Sequence, residues 1–253
     1  VPFILRPVPP DLLTAGRPAF DATGPRGYPG PLIVHRDGDQ GSDFVGRAIG
    51  ALTETLREND VVAAYVRLHP LLPPPREILA AAGTLVDQGT STWVDLTQSP
   101  EAMWHETDHG HRSRINKARR LGYVGREDTT WSRFDQFVEL YQASMDRVGA
   151  DPFWHLSRAY FEALRVSLEG HLHLLVVERD DALAAAGLFT EVDGIVEYHL
   201  SGVAGAFVRD SPSKLLIDTA RRWAKDRGDQ RLHLAGSLRA DDSLAQFKRG
   251  FSP

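Results

Sequence analysis

The stretch from Ile195 to Phe251 constrains the fold of this chain more than any other. Its pattern predicts a strand at Ile195–Ser201, a helix at Ser211–Arg227 and a second strand at Arg231–Ala235. The helix opens with Ser211, a potential serine cap, and ends in a basic turn followed by Gly228 as a helix stop. A strand–helix–strand unit of this size makes its two strands parallel. In such a sheet the substrate cleft lies beyond the carboxyl ends of the strands.

Small residues and hydroxyl side chains stand at the ends of these two strands. Ser201 closes the first strand, and Gly236 and Ser237 follow the second, so their backbone N–H groups and hydroxyls can reach a carbonyl between the strands. Lys248 lies further on, in the segment DDSLAQFKRGF. A cation beside a carbonyl stabilises the oxyanion that forms when an amine attacks it. The alternatives, ordinary turns and a solvated lysine, remain open at this point.

Composition excludes several classes of protein and site. The 253 residues include no cysteine, which excludes a disulfide framework, a thiolate metal site and a cysteine nucleophile. The net charge of −5 argues against a protein that coats nucleic acid, and no apolar run is long enough to span a bilayer. We therefore expect a cytoplasmic monomer that does not bind DNA.

The order of predicted elements indicates two domains. The best division lies between residues 122 and 131, which gives domains at 1–125 and 126–253. The Asp193-Gly194 pair is a hairpin signal within an antiparallel meander. Before Ile195 the pattern predicts a helix at Phe44–Glu58, a buried strand at Val61–Leu68, a strand at Ser91–Leu96, a helical region at Glu101–Leu121, helices at Trp131–Val148 and Ser157–Leu168, and strands at His171–Glu178 and Ala182–Thr190.

Four stretches together carry a family resemblance. They are YPGPL at 28–32, HRSRINKARRLG at 111–122, the helix pair at 134–164, and the tail SPSKLLIDTARRWAKDRG…LHLAGS…DDSLAQFKRGF. In this order they resemble the FemABX group of aminoacyl- and acyltransferases in the GNAT superfamily. The resemblance implies an α/β (α+β) fold with a GNAT-like mixed sheet flanked by helices. It implies two GNAT-like domains, of which the first is shortened or incomplete.

The same resemblance implies a function. It implies transfer of an aminoacyl group from an aminoacyl-tRNA onto an amine of a peptide or of an acceptor like a cell-wall precursor. An acyl-CoA-dependent N-acyltransferase and a non-catalytic GNAT-like binding domain are the alternatives. No tightly bound cofactor and no metal are expected. The family's lysine in a terminal Phe-Lys pair stabilises the transition state, and the matching pair here is Phe247-Lys248.

Acceptor recognition is expected around the end of the helix at 131–148. The family's hydroxyl and arginine pair near the acceptor phosphates matches Ser144 and Arg147. An arginine beside the aromatic residue Trp154 suits recognition of a phosphate or carboxylate, although it can equally compensate the helix dipole. Tyr198 and His199 point to opposite faces of a strand, so we expect only one of them to line the cleft with Ser201.

Donor recognition is expected where the chain enters the helix at 211–227. A coenzyme-A-dependent GNAT enzyme carries a glycine-rich turn here, whose N–H groups hold the pyrophosphate. This chain has AGAFVRDSPSKLL instead, which weakens the coenzyme A interpretation and leaves Arg209, Ser211 and Ser213, with Gly236 and Ser237, as the candidate donor-binding residues.

A basic cluster invites an RNA interpretation, because positive charge can follow the backbone of an acceptor stem. The alternative is a solvated helix face. The histidines at 105, 109 and 111 lack an HExxH order and an obvious third ligand, so we predict that they belong to a solvated polar helix and hold no metal. The members of the basic cluster are Arg112, Arg114, Lys117, Arg119 and Arg120.

Overall fold

The computed structural model describes residues 2–13, 17–33, 42–236 and 243–252. The chain divides into two units, Val1–Gln88 and Gly89–Pro253. No helix among these described residues combines the length and the apolar character that a membrane crossing needs.

The first unit contains a three-stranded sheet. Strand β1 (Ile4–Pro7) is antiparallel to β2 (Phe20–Thr23), and β2 is parallel to β3 (Val61–Tyr65). We predicted β3 as a buried strand, and this is wrong, because it forms an edge of the sheet and Val62 is 68% exposed.

Two helices complete the described part of the first unit. They are α1 (Ser42–Glu58) and α2 (Arg76–Ala82), and α1 confirms the helix predicted near residues 44–58. Val45, Ile49 and Leu79 form their small core.

The second unit is built on a six-stranded mixed sheet. Along the chain its strands are β4 (Ser91–Asp95), β5 (Val124–Glu127), β6 (Leu172–Arg179), β7 (Ala182–Val192), β8 (Ile195–Val203) and β9 (Arg231–Gly236). Their order in the sheet is β4-β9-β8-β7-β6-β5. Only β8 and β9 are parallel, as the strand–helix–strand pattern predicted, and the other neighbours are antiparallel.

Pairing between strands far apart in the chain places the boundary between the units earlier in the sequence than the predicted cut. Because β4 pairs with β9, residues from Gly89 onward belong to the second unit. The predicted cut at 125/126 therefore falls inside that unit. Sequence patterns indicate only local structure, so they could not show that the partner of β4 is β9, near the end of the chain.

Among the described residues of the second unit, six helices accompany the sheet. They are α3 (Pro100–Glu106), α4 (His109–Arg120), α5 (Phe134–Val148), α6 (Arg158–Ser167), α7 (Pro212–Arg227) and α8 (Ser243–Arg249). The helical region predicted at 101–121 is thus two helices. Asp108 separates them, because its carboxylate accepts from the N–H groups of Gly110 and His111 and so caps α4.

The sheet buries both of its faces. On one face α4 and α7 cover a core that includes Ile115, Leu216 and Leu232, and on the other α5 and α6 cover one that includes Phe137, Phe161 and Leu188. Because both faces are buried, successive side chains of β6 and β7 all enter a core, and the two strands read as continuous apolar runs. The Asp193-Gly194 hairpin is confirmed, since both residues have positive φ angles of 49° and 75°.

Candidate active site

The central feature of the second unit is the separation of β8 from β9. The two strands pair from Ile195↔Arg231 to Glu197↔His233, after which β8 continues along β7 and β9 along β4. We call this point, just beyond Glu197 and His233, the fork. It opens toward the carboxyl ends of two parallel strands, where the sequence places the chemistry.

Each strand of the fork carries an irregularity. On β8 the register shifts between the pairs Phe189↔Tyr198 and Leu188↔Leu200, so His199 is an extra residue. On β9 the register with β4 also shifts, and Ala235 has a φ of 59°, which is unusual for a residue with a side chain. Bulges of this kind increase the local twist of a strand, which fits two strands that turn apart.

Lys248 is buried beside the tip of β9. Its side chain lies on α8, the residue is 6% exposed, and its Nζ donates to the Gly236 carbonyl over 2.6 Å. The interpretation of Lys248 as a solvated lysine is therefore wrong. Gly236 contributes a carbonyl to this contact, whereas we predicted a donor N–H there, and Ser237 lies outside the described residues.

A histidine that the sequence did not single out as catalytic holds α8 in place. The His111 ring packs edge-on against Phe251 at 4.8 Å, and its Nε2 lies 2.9 Å from the Phe247 carbonyl. Because a carbonyl only accepts, Nε2 carries the hydrogen and Nδ1 accepts from Lys214 Nζ at 3.0 Å. Gly250 permits this packing, since a Cβ there would lie 2.4 Å from the ring.

The electrostatics around His111 favour the neutral imidazole. Burial, followed by the charge of Lys214, lowers the pKa of His111, and burial also lowers the pKa of Lys214. Our prediction that His111 belongs to a solvated polar helix is wrong. The burial of His111 could not be predicted from the neighbouring sequence, because the residues that cover it lie more than a hundred positions later in the chain.

Two predicted acceptor residues have structural partners. The Ser144 hydroxyl accepts from the Val203 N–H at 2.8 Å and donates to the Val203 carbonyl at 3.0 Å, which fastens α5 to the end of β8. Arg147 donates to Ser144 at 3.1 Å but is itself exposed, and its guanidinium approaches Gly205 just beyond β8. The exposed Arg147 guanidinium thus lies in a position suited to contact an anion, whereas the Ser144 hydroxyl is engaged by the backbone of Val203.

The remaining acceptor candidates divide between the two faces of β8. Tyr198 packs on the α7 side, and its hydroxyl bonds to that of Ser201. Burial raises the pKa of Tyr198, so the phenol stays protonated. His199 turns to the other face, where its Nε2 lies 3.2 Å from the Tyr160 hydroxyl. The half-buried Trp154 packs edge-on against the exposed Phe153 in the loop after α5.

The turn before α7 differs from the predicted cap. Ser211 has a φ of 57°, and its side chain caps nothing, so the prediction of a serine cap at this position is wrong. The Asp210 carboxylate accepts from Lys117 Nζ at 3.0 Å and from the Tyr123 hydroxyl at 2.9 Å, and these bonds lower its pKa. Arg209 is exposed and Ser213 half-buried beside this turn.

The basic cluster on α4 is partly structural. Arg112 donates to the carbonyls of Trp104 and His105, and Arg119 pairs with the buried Asp218. Lys117 is held by Asp210. Arg114 and Arg120 are exposed, and Arg114 lies 3.5 Å from the Arg209 carbonyl.

Comparison with known proteins identifies the family. A family model described as "Acetyltransferase (GNAT) domain" matches residues 106–249, which is more than half of the chain. The chain belongs to this family. The match spans the fork, α7 and α8. No curated protein matches the sequence.

Solved structures share the fold of this GNAT chain. The structure of FemX matches with a TM-score of 0.70 at 12% identity, covering 98% of this chain and 85% of FemX. The C-terminal domain of a protein described as a lysylphosphatidylglycerol synthetase from Agrobacterium fabrum matches at 0.58 and 14% identity, covering 92% and 68%. A conserved protein of unknown function from Bacteroides thetaiotaomicron matches at 0.60 and 11% identity, covering 82% and 71%. The GNAT-like fold and the FemX-like architecture are thereby confirmed.

Proposed function

We propose that this GNAT chain transfers an aminoacyl group from an aminoacyl-tRNA onto an amine of a peptide or of an acceptor like a cell-wall precursor. The observation that carries the proposal is the buried ammonium of Lys248 at the tip of β9, beside the fork. A buried cation beside a cleft costs stability, so a role in stabilising negative charge gives it a physical reason.

The proposed reaction is direct attack. The free acceptor amine attacks the ester carbonyl in the fork, and the carbonyl oxygen gains negative charge as the carbon–nitrogen bond forms. Collapse of this tetrahedral centre breaks the ester carbon–oxygen bond, and the tRNA leaves through its ribose hydroxyl, which takes up the proton that the nitrogen loses. Lys248 turns from the Gly236 carbonyl toward the charged carbonyl oxygen, and Phe247 keeps water away. A charge-assisted donor in such a place contributes a factor of about 10² to 10³ in rate.

The turn before α7 supports the choice of an aminoacyl-tRNA donor. Pro212 removes one N–H from the first turn of α7, and Asp210 adds a carboxylate where a pyrophosphate would need donors. The exposed Arg114, Arg120 and Arg209 suit contacts with an RNA backbone instead. Arg147, in the last turn of α5 beside the end of β8, is the proposed anion contact for the acceptor.

An acyl-CoA-dependent N-acyltransferase is the second candidate. It is favoured by the description of the family model and by Lys214, a cation in the first turn of α7. A lysine there, with the N–H groups of a helix N-terminus, can hold a phosphate even without a glycine-rich turn.

A transfer screen tests the proposal. The protein is incubated with radiolabelled aminoacyl-tRNAs or with acyl-CoAs, and with lysine-containing muropeptides as acceptors. We expect label to move from aminoacyl-tRNA only, and ribonuclease pretreatment to abolish it. Transfer from acyl-CoA alone would favour the second candidate. Transfer from neither donor would favour a non-catalytic binding domain.

Reversing charge on α4 tests the RNA contact. The double variant Arg114→Glu/Arg120→Glu should raise the KM for aminoacyl-tRNA and flatten its dependence on salt, because fewer counterions are released on binding. The matched control is Arg57→Glu, an exposed arginine in the last turn of α1. An unchanged salt dependence in the double variant would exclude α4 from RNA binding.

A further inference from the structure

The helix that carries Lys248 is short, and the start of α4 holds it in place. Helix α8 has seven residues. The His111 Nε2 atom lies 2.9 Å from the Phe247 carbonyl oxygen, and the Asp108 N–H donates to the Gly250 carbonyl oxygen over 2.8 Å. A helix of this length is not stable by itself in water, so the position of Lys248 depends on such contacts.

The hydrogen bonds of His111 require its neutral form. The Phe247 carbonyl accepts the hydrogen on Nε2, and the Lys214 Nζ atom lies 3.0 Å from Nδ1 and 3.1 Å from Nε2. A lysine ammonium has hydrogens to donate and no lone pair with which to accept, so Nδ1 is the acceptor. An imidazolium would instead direct a second N–H and a positive charge at this ammonium.

The charged groups around His111 act in opposite directions. Asp108, the cap of the same helix, favours the imidazolium from 3.7 Å, but its side chain is 60% exposed and already accepts from two backbone N–H groups. Lys214 opposes the imidazolium from α7, and Arg114 adds positive charge beside Lys214. From α8 the ring receives the carbonyl and the aromatic face of Phe247. Burial, followed by Lys214, outweighs Asp108 and lowers the pKa of His111.

An imidazolium at position 111 has no access to water while α8 is docked. His111 is 7% exposed, its ring packs against Phe247 and Phe251, and a side chain on Gly250 would collide with it. A buried charge without a counter-charge is costly, and the ring gains water when α8 moves away. Protonation of His111 and docking of α8 are therefore competing events.

We propose that protonation of His111 releases α8 and so withdraws Lys248 from the tip of β9. With α8 docked, the ring is neutral and Lys248 donates to the Gly236 carbonyl. In acid the charged ring repels Lys214 and is solvated only when α8 has left. The effect on transfer rests on the proposed function, whereas the release of α8 does not.

The direction of the pH dependence follows from the two states of His111. With α8 released, the ring is in water and has the ordinary histidine pKa of about 6.5. With α8 docked, the pKa of His111 is lower. The released state therefore binds more protons. Its population relative to the docked state rises by up to about tenfold for each pH unit below about 6.5, and it levels off below the pKa of the docked state.

A spin label on α8 tests the release without any assay of transfer. The chain has no cysteine, so Leu244→Cys, at a 46% exposed position on α8, gives a single labelling site. We expect the electron paramagnetic resonance spectrum of this label to become more mobile between pH 7.5 and pH 5. The same label at Val166→Cys, a 76% exposed position on α6, should keep its spectrum, and circular dichroism should show a folded protein throughout.

Variants in the labelled Leu244→Cys protein assign the response to His111. His111→Gln keeps a neutral donor for the Phe247 carbonyl and does not titrate, so its label should stay immobile down to pH 5. The matched control is His171→Gln, which replaces an exposed histidine whose Nδ1 also lies 3.0 Å from a backbone carbonyl oxygen, and it should respond like the parent. Lys214→Met removes the ammonium that opposes the imidazolium, so the increase in mobility should be smaller.

The transfer rate gives a second readout. Protonation of the acceptor amine slows the wild type and His111→Gln alike, so the ratio of their rates isolates the effect of His111. Between pH 7.5 and pH 5 this ratio should fall by the fraction of α8 that the spectra show as released. A label at position 244 that is unchanged by acid, that responds equally in His111→Gln, or that is mobilised together with the label at position 166 would overturn the proposal. A protein that transfers nothing would overturn the proposed function, and the spectra would still decide the release of α8.

Discussion

Replacing Asp218 with asparagine should strongly destabilise the second unit. Asp218 is fully buried on α7 and accepts hydrogen bonds from Arg221 and Arg222 of the same helix and from Arg119 of α4. Arg221, itself 2% exposed, also donates to the Met103 carbonyl and the Thr107 hydroxyl. The variant leaves a buried guanidinium without its counter-charge.

The expected cost follows from that burial. Removing one partner of a buried ion pair costs about 3–5 kcal/mol. For a chain of this length 1 kcal/mol lowers the Tm by about 2–4 °C, so the expected decrease is roughly 6 to 20 °C. Urea unfolding followed by circular dichroism measures the free energy of unfolding directly.

Two further variants make the test specific. Asp218→Leu/Arg221→Met removes both charges, and it should be more stable than Asp218→Asn because no unpaired charge stays buried. Asp135→Asn breaks the exposed pair with Arg158 and should cost less than about 1 kcal/mol. The account holds that the Asp218–Arg221 hydrogen bonds join α3, α4 and α7. A free-energy cost below about 1 kcal/mol for Asp218→Asn would refute it.

Three other predictions concern His111, Gly202 and Asp229. His111→Gln should lower the transfer rate by about tenfold or more, since a small displacement of Phe247 moves Lys248, and the rate is measured in the transfer assay. Gly202→Ala should cost about 1–3 kcal/mol in urea unfolding, because its Cβ would lie 2.9 Å from the Leu140 carbonyl oxygen. Burial, and then Glu191, raises the pKa of Asp229, so its charged form is penalised in the folded state above that pKa. Asp229→Asn should therefore raise the Tm at pH 7, and the gain should vanish as the pH falls below about 3.9, the ordinary pKa of aspartate.

The strand–helix–strand unit was predictable because its signals are local. Apolar periodicity, Gly228 after α7 and the Asp193-Gly194 turn each act within a few residues, and the structure confirms all three. The GNAT-like fold followed from the order of such elements.

The rest depends on contacts between residues far apart in the chain. The pairing of β4 with β9 set the unit boundary, and nothing in residues 91–95 identifies the partner. The burial of His111 depends on Phe247 and Phe251, and the engagement of Ser144 depends on Val203.

The most direct measurement for the whole account is the transfer rate of Lys248→Met. Its control is Lys225→Met, a half-buried lysine on α7 whose Nζ likewise donates to a backbone carbonyl, that of Leu96, at 2.8 Å. The account predicts that Lys248→Met lowers kcat by about 10² to 10³ with an unchanged KM, while Lys225→Met stays near the wild type. A folded Lys248→Met protein that transfers aminoacyl groups at the wild-type rate would contradict it.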